Sequence, residues 1–184
     1  MKKLILFLWL TIAAHAADRP NIILIMVDDM GRDWVSCYGA KQPTPNIDQL
    51  AKQGVRYETV WCTPICTPTR VTLLTGQYPF HHGWVQHFDV PRWGGAGLRP
   101  DRFTTFARHL RDRGYATAIG GKWQINHLGK QPEILKEHGF DEHCVWPGVE
   151  AYQPETKERF WGGLIATNGK RAKVPYGPDT INRF

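Results

Sequence analysis

No apolar run in this 184-residue chain is long enough to cross a membrane. A span needs about 20 apolar residues, and the longest run, residues 4–14, has 11. Cysteine is scarce, with four residues at 37, 62, 66 and 144. They could pair in three ways, but their spacing is not that of a disulfide scaffold. Cys62 and Cys66 with His81, His82 or His87 can be drawn as a zinc site, yet no Cys-x-x-Cys or His-x3-His pair supports it. Charge of one sign is also modest. The formal net charge is +6, or +4 without Lys2 and Lys3. That is too mild to argue for nucleic acid, and it suits a solvated surface or a polyanionic ligand. Internal repeats and low-complexity tracts are absent. With 42% hydrophobic and 22% charged residues, the composition excludes a disordered tail, a collagen and a coiled coil. What remains is a globular domain large enough to bury a core.

The N-terminus reads as an address. Met1-Lys2-Lys3 is a positive flank, residues 4–14 are apolar, and Ala14-His15-Ala16 offers a small-x-small cleavage pattern. Residues 1–16 are expected to be a cleaved signal peptide, and residues 17–184 the mature part. The same run also fits a buried N-terminal helix. The signal reading places the protein in the periplasm or outside the cell, with no stable membrane anchor.

Residues 21–27, NIILIMV, form a near-continuous apolar run closed by Asp28-Asp29. Such a run predicts a strand buried on both faces, as in parallel sheets. Thr44-Pro45 predicts a helix start, with Ile47, Leu50 and Ala51 on one face and Gly54 as the stop. Residues 55–61 alternate as a strand would. Residues 68–74 predict a short helix ending near Gly76. Phe103, Phe106, Ala107 and Leu110 fall at helical spacing before Gly114, and residues 115–119 predict a strand running into Gly120-Gly121-Lys122. Gly94-Gly95-Ala96-Gly97 follows no clear strand and reads as a loop. The pattern weakens from Gln131 onward. Asn168-Gly169 is a hairpin turn signal between residues 164–167 and 170–174, and Asp179 can cap a helix. Helices alternating with strands imply an α/β fold, a mostly parallel sheet flanked by helices.

Two strings carry chemistry. Asp28-Asp29 ends an apolar strand, where ligands bind in α/β sheets. Adjacent carboxylates repel unless a cation sits between them, and a hard divalent ion fits; one Asp capping a turn fits equally. In Cys66-Thr67-Pro68-Thr69-Arg70, Pro68 sets a helix start and leaves Cys66 near its positive end. That arrangement suits a thiolate nucleophile, an anion site with Arg70, or a buried Cys before an ordinary helix.

Together with their surroundings these strings resemble the sulfatase family. Cys66-Thr-Pro-Thr-Arg70 is similar to its Cys-x-Pro-x-Arg signature, followed by Leu74-Thr75-Gly76-Gln77-Tyr78-Pro79. Asp28-Asp29-Met30-Gly31 resembles the first metal motif, and Thr44-Pro45-Asn46-Ile47-Asp48 a further family string. Gly114-Tyr115 through Gly121-Lys122-Trp123 resembles the second signature. The resemblance covers roughly residues 20–130 in the family's order. It implies an alkaline-phosphatase-like fold and hydrolysis of sulfate esters, on sulfated carbohydrate or aryl sulfates. It implies that a formylglycine-generating enzyme converts Cys66 to formylglycine, whose hydrate attacks sulfur. Asp28, Asp29 and converted Cys66 would bind Ca2+, Arg70 would stabilise the converted residue, and Lys122 would neutralise charge. A phosphoester or phosphonate hydrolase of the same superfamily, and a non-catalytic anion-binding remnant, are the alternatives.

Two features depart from the family. Gln124 stands where the Gly-Lys-Trp-His pattern has His, and Gln exchanges no proton near neutral pH; His127, three residues on, is the candidate substitute. The family's later metal ligands, second His and second Lys have no counterpart here, so the chain reads as a truncated N-terminal piece.

Overall fold

In the computed structural model the described residues are 19–87, 90, 95–148 and 160–184. The expected signal peptide and Gly94 lie outside them. The chain divides into two compact units, residues 1–57 and 58–184.

In the first unit, two 3-10 turns, Arg32–Trp34 and Ser36–Tyr38, lead to helix α1, Pro45–Gln53. Pro45 opens the helix and Gly54 closes it, as the sequence predicts. Thr44 precedes the helix without a side-chain cap bond to its backbone. Its hydroxyl is used in a polar knot instead. Ser36 Oγ donates to Asp48 Oδ2 at 2.6 Å, and Thr44 Oγ1 donates to Asp48 Oδ1 at 3.2 Å. These hydroxyls, Ser36 foremost, hold the Asp48 carboxyl below its usual range.

Residues 21–27 correct an expectation: they form no strand and are exposed, Ile23 to 85%. Residues 55–61 likewise form no strand, and Trp61 is 89% exposed. A strand exists only through the ladder it joins, and neither segment supplies a partner to the described sheet. Periodicity reported their β character, but no neighbour realises it.

The second unit holds the sheet and its helices. Its elements are α2 (Cys66–Thr75), α3 (Pro79–His82), α4 (Phe106–Arg111), β1 (Ala118–Lys122), α5 (Ile134–Glu137), β2 (Glu142–Trp146), β3 (Leu164–Thr167), β4 (Lys170–Lys173) and α6 (Gly177–Asn182). The sheet order is β1-β2-β3-β4. β1 and β2 are parallel, with Ala118 opposite Glu142 and Lys122 opposite Trp146. β2–β3 and β3–β4 are antiparallel, so the described sheet is mixed. Asn168 and Gly169 both have positive φ, 46° and 79°, the conformation a two-residue primed hairpin requires.

α4 begins later than its apolar spacing suggests, because Thr105 caps it by accepting from Arg108 N at 3.2 Å. Phe103 is buried before the helix rather than in it. Trp123, 1% exposed, anchors the core. Its ring meets Phe140 edge-on at 6.3 Å and His138 at 5.7 Å. All four cysteines are free, and Cys144 is buried in β2.

Candidate active site

The site is built where β1 ends and α2 begins, both within the second unit. Ile65 is extended, and the chain turns helical at Cys66. Pro68, in the first turn, has no N–H to donate and loses nothing there. Thr69 bonds back to Ile65 O through both its amide, at 3.3 Å, and its hydroxyl, at 2.9 Å, which fixes the entry to the helix. Thr67 and Pro68 are buried, so α2 is seated at its N-terminus while Cys66 stays partly accessible. Gly76 closes α2 in the left-handed conformation, φ 66°.

Arg70 lies one turn along α2 and donates from Nη1 to Lys122 O at 2.9 Å. That bond ties the helix to the end of β1. The Lys122 side chain reaches back, its Nζ 3.6 Å from Cys66 Sγ. Three residues predicted from sequence, Cys66, Arg70 and Lys122, are thus gathered in one place. The Lys122 ammonium and a helix N-terminus meet at one small nucleophilic side chain, with Arg70 bonded to the Lys122 carbonyl beside them, an environment that favours an anion.

A fourth residue joins them that the sequence did not single out for catalysis. His87 Nδ1 lies 4.0 Å from Cys66 Sγ and 3.3 Å from Thr67 Oγ1. It had appeared only in the zinc drawing. Cys62, drawn with it there, is exposed, and no group of three or more His, Cys, Asp or Glu side chains gathers among the described residues. A separation of 21 residues hides the Cys66–His87 contact from any local motif.

The other histidines serve elsewhere. His82 is buried; Trp84 N donates to its Nδ1 at 3.0 Å, so Nε2 carries the proton toward Thr72 Oγ1, also at 3.0 Å. Burial lowers its pKa. His81 is exposed and lies beside Phe80. His127 lines a cavity of about 500 Å3 with Gly97, Leu98, Arg99, Lys130 and Gln131. None of Cys66, Arg70 and Lys122 borders that cavity. Gln124 is buried with φ 66°, a rare conformation for a residue with a side chain.

Asp28 and Asp29 belong to the first unit, where both are exposed and Asp29 has φ 59°. Two adjacent carboxylates present hard oxygen donors, the chemistry a divalent calcium ion selects. The donor set therefore fits such an ion, with further oxygens needed to complete its shell.

A family model described as Sulfatase matches residues 20–172. The chain belongs to the sulfatase family. Human steryl-sulfatase is 44% identical over 179 residues, which is 95% of this chain and 28% of that protein. The arylsulfatase of Klebsiella aerogenes is 37% identical over 142 residues, covering 73% of this chain and 30% of its own length. Among solved structures, Ps i-CgsB superposes with a TM-score of 0.72 at 32% identity, over 89% of this chain and 40% of that one. A protein solved with its substrate D-glucosamine-2-N,6-O-disulfate has a TM-score of 0.66 at 27% identity, over 88% of this chain and 29% of that one. This sulfatase chain thus spans about 30% of the length of the curated relatives quoted. Its mixed sheet with flanking helices is part of the fold that these solved structures share. No helix among the described residues is long and apolar enough to cross a membrane.

Proposed function

We propose that the protein containing this chain hydrolyses sulfate esters, with residue 66 as the nucleophile and sulfated saccharide as the substrate class. The observation that carries the reading is the cationic niche at Cys66: Lys122 Nζ at 3.6 Å and Arg70 bonded to the Lys122 carbonyl at 2.9 Å. The substrate class is supported by relatives of matching fold, one solved with D-glucosamine-2-N,6-O-disulfate and another with k-i-k-neocarrahexaose.

Conversion of Cys66 to formylglycine, by a formylglycine-generating enzyme, supplies a hydrated aldehyde in place of the thiol. Asp28 and Asp29 are the residues that would hold Ca2+; a bound ion would supply positive charge for sulfate oxygens. The chain's own residues then have distinct tasks. Lys122 binds and neutralises the anion at residue 66, where charge develops. Arg70 holds the Lys122 backbone and so fixes where that ammonium points. α2 aims its first-turn amides at the same region. An exported protein, periplasmic or secreted, meets polymeric sulfated sugars, and the basic balance of the chain suits them.

The test is co-expression with a formylglycine-generating enzyme, followed by mass spectrometry of the Cys66 peptide and sulfate release from sulfated oligosaccharides by the full-length protein. The peptide is expected to lose its thiol and to react with a hydrazide probe, while Cys37, Cys62 and Cys144 keep theirs. An unmodified Cys66 under those conditions refutes the reading.

A further inference from the structure

We propose that His87 is an additional anion-binding residue of this site, donating a hydrogen bond to the sulfate group held at residue 66. The inference rests on the reading of residue 66 as the point where the sulfate group reacts, and adds a residue to it.

His87 comes from the segment after α3, which has no part in the helix start or the strand end that define the niche. Its Nδ1 faces two atoms of the α2 N-terminus, Thr67 Oγ1 at 3.3 Å and Cys66 Sγ at 4.0 Å. The Lys122 ammonium stands 3.6 Å from the same sulfur. An imidazole and an ammonium thus converge on one side-chain atom from two different segments. A tetrahedral anion in contact with that atom carries its other oxygens about one bond length farther out, within reach of donors at those distances. Thr67 is fully buried, so its hydroxyl is a fixed anchor. That hydroxyl can accept from the imidazole before the anion arrives, and it rotates to suit afterward. The role needs only an N–H on the ring, and a neutral imidazole has one. Sequence reasoning turned to His127 for an imidazole near Gln124, but His127 lines a different cavity; the histidine in contact with Cys66 is His87.

The contact can be read without turnover, on the chain carrying the Cys66 thiol. Inorganic sulfate is titrated against the rate of Cys66 alkylation by iodoacetamide at constant ionic strength, with exposed Cys62 as the internal reference. Sulfate is expected to protect Cys66 and not Cys62. His87→Ala is expected to raise the sulfate concentration for half-protection about tenfold, the effect of one hydrogen bond to a charged group. His87→Asn keeps an amide donor close to the Nδ1 position and is expected to recover most of that loss, which a fold defect would not do. Equal midpoints in wild type and His87→Ala overturn the proposal, and so does a wild type that sulfate does not protect. Failure of Cys66 conversion, by contrast, overturns the hydrolase reading and leaves this titration unaffected.

Discussion

Lowering the pH from 7.5 to 5 should destabilise the second unit through one buried imidazole, His138. The ring is fully buried beside Trp123. Its Nε2 lies 3.1 Å from Leu98 O. A carbonyl oxygen only accepts, so Nε2 carries the proton and Nδ1 is the bare nitrogen. That Nδ1 is buried with no hydrogen-bond partner among the described residues. Protonating it would bury a charge with nothing to receive it. Burial, reinforced by the Arg108 guanidinium, therefore lowers the pKa from 6.5 to about 4, against the opposing bond to Leu98. Above pH 6.5 the ring is neutral in both states and contributes nothing to the pH dependence. As the pH falls below 6.5 the unfolded chain takes up a proton that the folded chain refuses, so stability is lost until the folded group titrates near 4. The full gap corresponds to about 3 kcal/mol, and about 2 kcal/mol of it is lost by pH 5. The assay is urea unfolding at pH 7.5, 6 and 5, for wild type and His138→Gln. The variant will be less stable at every pH. Its loss between 7.5 and 5 should nevertheless be smaller than wild type's by about 2 kcal/mol. His82 and His143, whose pKa values burial also lowers, remain in both proteins and cancel in the difference. Equal losses in the two proteins would refute the assignment.

Gly139→Ala should be severely destabilising. Gly139 has φ 97°, and a Cβ there would lie 2.3 Å from Arg108 N, a backbone atom that cannot yield; a loss of about 3 kcal/mol or more is expected in chemical denaturation, with the helix signal lost at lower urea. His127→Ala should leave turnover of the full-length protein nearly unchanged, because His127 faces the cavity beside Leu98 and Arg99. Loss of a general base would cost about 10²–10⁴-fold, so a fall of that size in kcat would show that His127 reaches the reacting group.

Features decided by local chemistry were legible in the sequence. Pro45 and Gly54 bound α1, Gly76 ends α2, although that helix opens at Cys66 rather than at Pro68, and Asn168-Gly169 turns the β3–β4 hairpin. Each depends on a backbone preference within a few residues. β2 was not legible, because its sequence EHCVW places a histidine in the core. The distant turn holds that histidine in part: Gly169 N donates to His143 Nε2 at 3.1 Å, and the His143 amide donates to Asn168 Oδ1 at 2.7 Å, while the ring's Nδ1 stays buried without a hydrogen-bond partner among the described residues. No period in the strand reveals a partner 26 residues away. The same limit explains residues 21–27 and 55–61, whose β pattern was visible and whose pairing was not. His87 entered the candidate site in the same manner, through a contact rather than a motif.

Backbone strain falls beside a candidate site residue in each of the two units. Among the described residues, three without a glycine's freedom have positive φ: Asp29, Gln124 and Asn168. Asn168 is accounted for by its hairpin. Asp29 and Gln124 stand at the second carboxylate of Asp28-Asp29 and two residues beyond Lys122. A left-handed conformation costs an ordinary residue about 1–2 kcal/mol, and glycine would relieve that cost at either position. Asp29 presents a carboxylate that glycine lacks. At Gln124 the turn follows directly on Trp123, whose amide extends the β1–β2 pairing by bonding Trp146 O at 3.2 Å. Trp123 is held in the core just past the end of β1, and at that end the Lys122 ammonium lies 3.6 Å from Cys66 Sγ. The left-handed residue at 124 thus stands two positions beyond Lys122, whose carbonyl Arg70 holds and whose ammonium meets Cys66 at the start of α2.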